Sequence, residues 1–248
     1  MKKKYFYIRI NKCACRTIIH LYKDDPLMIN PGTAYYQSPF DEYLKKGSKI
    51  HFNYCDTSVN TFTFIRNPYN RAVSSWKFCN LRRWNSNLDF CNFLKNLRSL
   101  LKSPIDDLNK KELQIVRHSI PQTKYLVNNG GELIVDFIGR IEFLDSHVSL
   151  LDDYLGVSPI ERKITRNFKI PGIRAKDPRN ELRKCDSSRP FKEEYLKYYC
   201  DESRRLVEEI YSDDVNLLGY SFGEKEPTNV FRDIKLKKLS ELSALSSA

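Results

Sequence analysis

Two short segments place phosphate-gripping residue types where a strand hands over to a helix. The first is Ile10-Asn11-Lys12-Cys13-Ala14-Cys15-Arg16-Thr17. Its small residues let the backbone turn closely. The amides of the helix that follows, with Lys12, Arg16 and Thr17, can surround a phosphate. The spacing is not that of a P-loop: G-x-x-x-x-G-K-[ST] is absent, and the lysine precedes the turn. Read alone, the segment is equally a basic turn with exposed side chains.

The second segment, Phe62-Thr63-Phe64-Ile65-Arg66-Asn67-Pro68-Tyr69-Asn70-Arg71-Ala72-Val73-Ser74-Ser75-Trp76, is more informative. Arg66 ends an apolar strand and points into the crevice beyond it. Asn67-Pro68 is a helix start, because Asn caps orphan amides and Pro suits the first helical position. Arg71, Ser74 and Ser75 share one helical face by their i, i+3, i+4 spacing. A guanidinium with a hydroxyl two turns along makes a grip for a second phosphate.

Other chemistry-bearing residues are sparse. Of the 4 histidines, His20 and His147 fall within helical patterns and read as structural or exposed. His51 lies on a strand-like stretch before the Arg66 strand, and His118 at a helix end. The 7 cysteines, an odd number, predict reduced thiols. Cys13-Ala14-Cys15 is too tight for a zinc knuckle and no second pair completes it, so no metal site is expected. Trp76, Trp84 and the 15 tyrosines offer sugar-stacking surfaces, although aromatics at helical spacing more often build a core.

These residues need a frame. The 248 residues suit one large domain or two small ones, and 41% hydrophobic content supplies a core, which excludes a disordered or fibrous chain. No apolar run reaches the ~18 residues that cross a bilayer. Arg9 and Lys12 interrupt the N-terminal apolar stretch, so it is no signal peptide. Lys plus Arg exceed Asp plus Glu by 42 to 31, a net +11 that calls for an anionic partner: nucleic acid, acidic polysaccharide, membrane surface or phosphorylated small molecule.

The pattern predicts strands over Tyr5–Ile10, Ser48–Tyr54, Thr61–Arg66 and Leu133–Ile138. It predicts helices over Thr17–Tyr22, from Asn67-Pro68 to about Arg82, over Leu88–Leu101, Lys110–His118 and Glu142–Leu155, and over Phe191–Tyr211 as the clearest amphipathic helix. Ser158–Pro190 reads as a long, irregular, basic surface segment. Residues 1–223 read as one domain and 224–248 as a polar tail. Strands alternating with helices predict an α/β fold, a mainly parallel sheet flanked by helices, with ligands at the carboxyl ends of the strands.

Taken together, the two segments resemble the nucleotide-binding loops of the sulfotransferases that use 3′-phosphoadenosine-5′-phosphosulfate (PAPS), and more narrowly of the carbohydrate (polysaccharide) branch. Lys12-Cys13-Ala14-Cys15-Arg16-Thr17 is similar to the family's P-loop-like 5′-phosphosulfate loop. Arg66-Asn67-Pro68-Tyr69-Asn70-Arg71, with Ser74 and Trp76, is similar to its 3′-phosphate loop. His118-Ser119-Ile120-Pro121-Gln122, Phe137-Ile138-Gly139-Arg140-Ile141-Glu142-Phe143-Leu144, and Ile210-Tyr211-Ser212-Asp213-Asp214 with Leu218-Gly219-Tyr220 resemble later elements, in order. One departure is Ala14, where family members commonly place glycine.

The resemblance implies transfer of a sulfonate from PAPS to an acceptor hydroxyl on a saccharide, in line and without a metal. It gives Lys12 the leaving 5′-phosphate. Cys13, Ala14, Cys15, Arg16 and Thr17 would hold the same phosphate, and Arg66 and Ser74 the 3′-phosphate. A histidine base suits the acceptor proton. His51 resembles the family's position for it and is preferred over His118. Glu142 is a carboxylate alternative, read first as a structural cap or ion pair. The late basic segment would cover the nucleotide or meet the acceptor.

Two other readings stand beside this one. A P-loop-like nucleotide phosphotransferase lacks its Walker pattern and an acidic Mg²⁺ motif here. A non-enzymatic basic module for nucleic acid or anionic polysaccharide explains the charge but not the ordered pair of loops. The favoured reading predicts a saccharide or other hydroxyl partner, no nucleic acid and no membrane insertion. The compartment expected is cytoplasmic, or otherwise the Golgi lumen for an excised catalytic domain.

Overall fold

The computed structural model describes residues 4–22, 25–29, 34–36, 50–52, 59–85, 87–127, 133–157 and 194–224. The predicted basic segment 158–190 and the tail beyond Glu224 lie outside the described residues.

Three strands form a parallel sheet in the order β1-β4-β5: β1 (Lys4–Ile8), β4 (Val59–Ile65) and β5 (Phe137–Arg140). Their registers align Ile8 with Thr63 and Ile65 with Arg140, so the carboxyl ends of all three lie together. Helices cover such a sheet on both faces, which is why its strands are near-continuous buried runs rather than alternating ones. Two short strands, β2 (Ala34–Tyr36) and β3 (Ile50–Phe52), make a separate parallel pair. The chain is thus an α/β fold with a parallel sheet flanked by helices.

Two helices leave the site end of the sheet: α1 (Cys15–Tyr22) after β1, and α2 (Pro68–Leu81) after β4. The predicted start of α2 is the observed one. Asn67 Oδ1 accepts from the Tyr69 and Asn70 amides at 2.9 and 3.2 Å, and Pro68 takes the first helical position. There follow α3 (Phe90–Lys102), α4 (Lys110–Ser119), α5 (Leu144–Leu155), α6 (Asp201–Ile210) and α7 (Ser212–Leu218). Gly156 ends α5 in the left-handed region, φ 63°, where glycine escapes the Cβ clash.

Two predicted elements shift. The strand expected over Leu133–Ile138 begins only at Phe137. Before it, Asp136 donates its amide to the Thr61 carbonyl at 3.1 Å but spends its carboxylate on the Thr61 amide and hydroxyl, both at 2.7 Å, so a side chain takes the place of the next ladder acceptor. The long helix expected over Phe191–Tyr211 is, within the described residues, a short 3₁₀ turn at Leu196–Tyr198 followed by α6. Between them Cys200 is extended (φ −120°, ψ 172°). That break lets the Tyr199 ring pack at 5.0 Å against both Phe90 and Phe222, while its hydroxyl donates to the Tyr69 carbonyl at 2.9 Å.

Sheet packing also explains one glycine. A Cβ on Gly139 of β5 would stand 2.5 Å from the fully buried Phe64 ring on β4.

Candidate active site

The first loop leaves β1 and turns through two non-glycine residues in the left-handed region, Lys12 at φ 71° and Ala14 at φ 52°. This is the position where the resemblance expects glycine, and the geometry supplies the reason. The turn closes with the Cys13 amide donating to the Ile10 carbonyl at 3.3 Å and the Thr17 amide to the Ala14 carbonyl at 2.9 Å. It delivers the chain into α1, and the positive end of a helix dipole favours an anion beside it.

The thiols in this loop point into the protein. Cys15 Sγ donates to the Ile10 carbonyl at 2.8 Å and Cys13 Sγ to Gln122 Oε1 at 3.1 Å. Burial pushes the Cys13 thiol well above its ordinary range. With both side chains turned inward onto protein acceptors, Cys13 and Cys15, like Ala14, have backbone to offer a ligand. Arg16 is exposed and Thr17 half-buried at the start of α1.

Arg66, at the end of β4, reaches across to this loop. One guanidinium nitrogen donates to the Lys12 carbonyl at 3.2 Å and another to Asn70 Oδ1 at 2.8 Å. The Lys12 ammonium lies 4.3 Å from the Phe78 ring centroid, on α2. Burial lowers its pKa to about 8, with the nearby Arg66 charge acting in the same direction. Burial also lowers Arg66, opposed by the Glu142 carboxylate. Desolvated like charges of this kind are costly until an anion joins them.

Ser74 is half-exposed on α2, two turns from Arg66. Its predicted face-mates behave otherwise. Arg71 is fully buried, with its Nε donating to the Asn11 carbonyl at 3.1 Å and a terminal nitrogen to the Ile120 carbonyl at 2.8 Å. Ser75 is equally buried and donates to the His118 carbonyl at 2.7 Å. Arg71 thus ties α2 to the first loop and to the segment after α4, and Ser75 ties α2 to the end of α4.

The histidines separate clearly. His147 is buried and accepts the Arg140 amide on Nδ1 at 2.8 Å, a structural bond. His118 Nδ1 lies 2.8 Å from the Gln114 carbonyl, which can only accept, so the neutral ring carries its proton there. Its ring stacks on Phe78 at 4.8 Å and meets Trp84 at 5.1 Å. Burial lowers its pKa to about 4, helped by Lys12, Arg9 and Arg71. His51 pairs with Tyr35 through the β3 and β2 backbones, outside the three-stranded sheet. The side chains of His51 and His20 lie outside the described residues.

Glu142 is a cap. Its Oε1 accepts the Asn67 amide at 2.7 Å and its Oε2 the Tyr220 hydroxyl at 3.3 Å. Trp76 is likewise structural, its indole N–H donating to the Leu88 carbonyl at 2.7 Å.

Sequence reasoning misses what joins the loops. Gln122 bonds Arg66 and Cys13, and behind it the buried Asp214 carboxylate accepts from the Gln122 amide at 2.8 Å and from the Thr123 amide and hydroxyl at 2.8 and 2.9 Å. The signal was present in Pro121-Gln122 and Asp213-Asp214, but only as motif letters without a role. Phe78 is also missed, although it follows Ser74 by one helical turn.

Among the described residues, no group of three or more His, Cys, Asp or Glu side chains could hold a metal ion, and no helix is long and apolar enough to cross a membrane. Methionyl-tRNA formyltransferase of Thermosipho melanesiensis is 36% identical over 66 residues, which cover 27% of this chain. The chain spans 22% of that relative's length. No solved structure matches the chain. A model of the sulfotransferase family matches residues 1–221, a span that contains both loops, the Gln122–Asp214 tie between them and all three strands of the sheet, and by that match the chain belongs to the sulfotransferase family.

Proposed function

We propose that this protein transfers a sulfonate from PAPS to a hydroxyl of a saccharide. The observation that carries the reading is the meeting of Lys12 and Arg66, two desolvated cations from two strand-to-helix loops, linked by the Arg66 bond to the Lys12 carbonyl. A donor with a 5′-phosphosulfate and a 3′-phosphate supplies the transferable sulfonate and suits this pair, because its charge offsets the cost of holding them out of water.

In this reading the first amides of α1, with Arg16 and Thr17, hold the 5′-phosphate. Arg66 and Ser74 hold the 3′-phosphate. Lys12 meets the charge that builds on the leaving oxygen, where a preorganised ammonium is most effective. His51 accepts the acceptor's proton. His118 suits that task less, because its buried ring, close to Lys12, Arg9 and Arg71, resists the charge a base must acquire. Residues 1–223 form the catalytic domain.

The test is thermal unfolding with 3′-phosphoadenosine-5′-phosphate and no magnesium. Stabilisation is expected, and Arg66→Ala should remove it. Stabilisation only by ATP with Mg²⁺, or salt-sensitive binding to DNA or heparin without any nucleotide response, would overturn the reading. With labelled PAPS and a panel of saccharides, His51→Ala should lose turnover while keeping nucleotide binding.

A further inference from the structure

We propose that Phe78 is a positioning residue for the reaction: the face of its ring seats the Lys12 ammonium beside Arg66 until the donor's leaving oxygen takes the ammonium over. The inference rests on the functional reading above for what Lys12 does once seated.

Three observations converge on it. The ammonium stands 4.3 Å from the ring centroid, well inside the ~6 Å range over which an aromatic quadrupole attracts a cation. The ring itself is held. It stacks on His118 at 4.8 Å and meets Trp84 edge-on at 5.5 Å, and Trp84 in turn meets His118 at 5.1 Å. Last, the Lys12 backbone is set by its left-handed φ of 71° and by the Arg66 bond to its carbonyl, so the side chain leaves a fixed point.

The seat solves an electrostatic difficulty. The groups acting on the Lys12 ammonium are Arg66 from the end of β4, Arg16 from α1, and the thiols of Cys15 on α1 and Cys79 on α2, while His118 of α4 stacks on the same ring. Both guanidiniums repel the ammonium and burial penalises it, whereas burial pushes the Cys79 thiol up to about 12 and the Cys15 thiol donates its hydrogen to the Ile10 carbonyl. A ring face offers attraction without a competing anion, so no carboxylate must be displaced when the donor arrives. A carboxylate in that place would hold Lys12 more firmly and oppose the donor.

The experiment reads Lys12 in the free protein. The pH dependence of Lys12 acylation by an amine-reactive ester, followed by mass spectrometry, reports where the ammonium titrates. With Phe78→Leu, which keeps apolar bulk but removes the ring face, the midpoint should fall by about one pH unit, a tenfold change. Replacing Phe78 with trifluorophenylalanine keeps the ring's shape and weakens its face, so it should give a smaller shift in the same direction, and Phe78→Tyr should leave the midpoint near wild type. In turnover, Phe78→Leu should lower kcat about tenfold with little change in KM for PAPS. An unmoved midpoint in both the leucine and the fluorinated variants overturns the seat, even if the nucleotide binds. The graded shift in a protein that fails to bind PAPS keeps the seat and overturns the functional reading.

Discussion

The Gln122 side chain grips the peptide unit of Arg66 from both sides: its Oε1 accepts the Arg66 amide at 2.8 Å and its Nε2 donates to the Arg66 carbonyl at 2.7 Å. One carboxamide thereby does what a neighbouring strand would do at the end of β4, and it fixes the point from which the Arg66 guanidinium departs. The same Oε1 receives the Cys13 thiol of the first loop at 3.1 Å, so both loops are referred to one fully buried residue.

Gln122→Ala should therefore destabilise the protein by about 3 kcal/mol, since it leaves buried peptide groups and the Asp214 carboxylate short of partners. Urea unfolding measures the loss. Affinity for 3′-phosphoadenosine-5′-phosphate should fall as well, although Gln122 meets no ligand in this reading. A variant of wild-type stability would show that water replaces the carboxamide.

Arg66 and Arg71 should fail in opposite ways. Arg66→Ala removes the guanidinium that the proposed function gives to the 3′-phosphate and should abolish the nucleotide-induced rise in melting temperature while leaving a folded protein. Arg71→Ala removes two bonds to buried carbonyls from a fully buried site and should cost about 3 kcal/mol or more, seen as a lowered urea midpoint without any ligand. If the two variants behave alike, the assignment of one to the ligand and the other to the frame is wrong.

Ala14→Gly should be tolerated or stabilising. An L-residue at φ 52° carries a penalty of about 1 kcal/mol that glycine avoids, offset in part by glycine's greater freedom when unfolded. The expected gain is between zero and about 1 kcal/mol, read by thermal unfolding. A clear loss of stability would mean that the Ala14 methyl packs usefully against the neighbouring core.

Acid should find His118. Its pKa in the fold is about 4, below the ordinary value of 6.5. Between those values the unfolded chain takes up a proton that the folded ring refuses, so stability falls as pH drops from about 6.5 toward about 4. Urea midpoints at pH 7 and pH 5 should therefore lie further apart in wild type than in His118→Gln. Equal spacing would mean that the His118 ring is not shielded from water.

How much of this was legible follows physical lines. The helix start at Asn67-Pro68 and the stop at Gly156 are local events, decided by a capping side chain, a fixed proline φ and a glycine free of Cβ, so the letters suffice. The apolar runs at Tyr5–Ile8 and Phe62–Ile65 announce buried parallel strands for the same reason. The residue types around Lys12 and Arg66 likewise offer an anion a place to bind, because cations beside a helix N-terminus attract negative charge over short range.

What needed the fold is everything that depends on distant partners. Arg71 and Ser74 look alike on a helical wheel, yet Arg71 is buried against carbonyls some 50 to 60 positions away in sequence while Ser74 stays open. His118 is a base by residue type alone, and its burial against Phe78 and Trp84, with the charges of Lys12, Arg9 and Arg71 nearby, is what depresses it, against the opposing bond to Gln114. The aromatic run before Asp201 has a helical period, but contacts with Tyr69, Phe90 and Phe222 outweigh one turn of helix. Alone, the sequence determines the chemistry offered at each turn, because that rests on short-range geometry and charge. The tertiary structure decides which of those groups stay open and which hold the frame, because burial and the pairing of polar groups belong to no single segment.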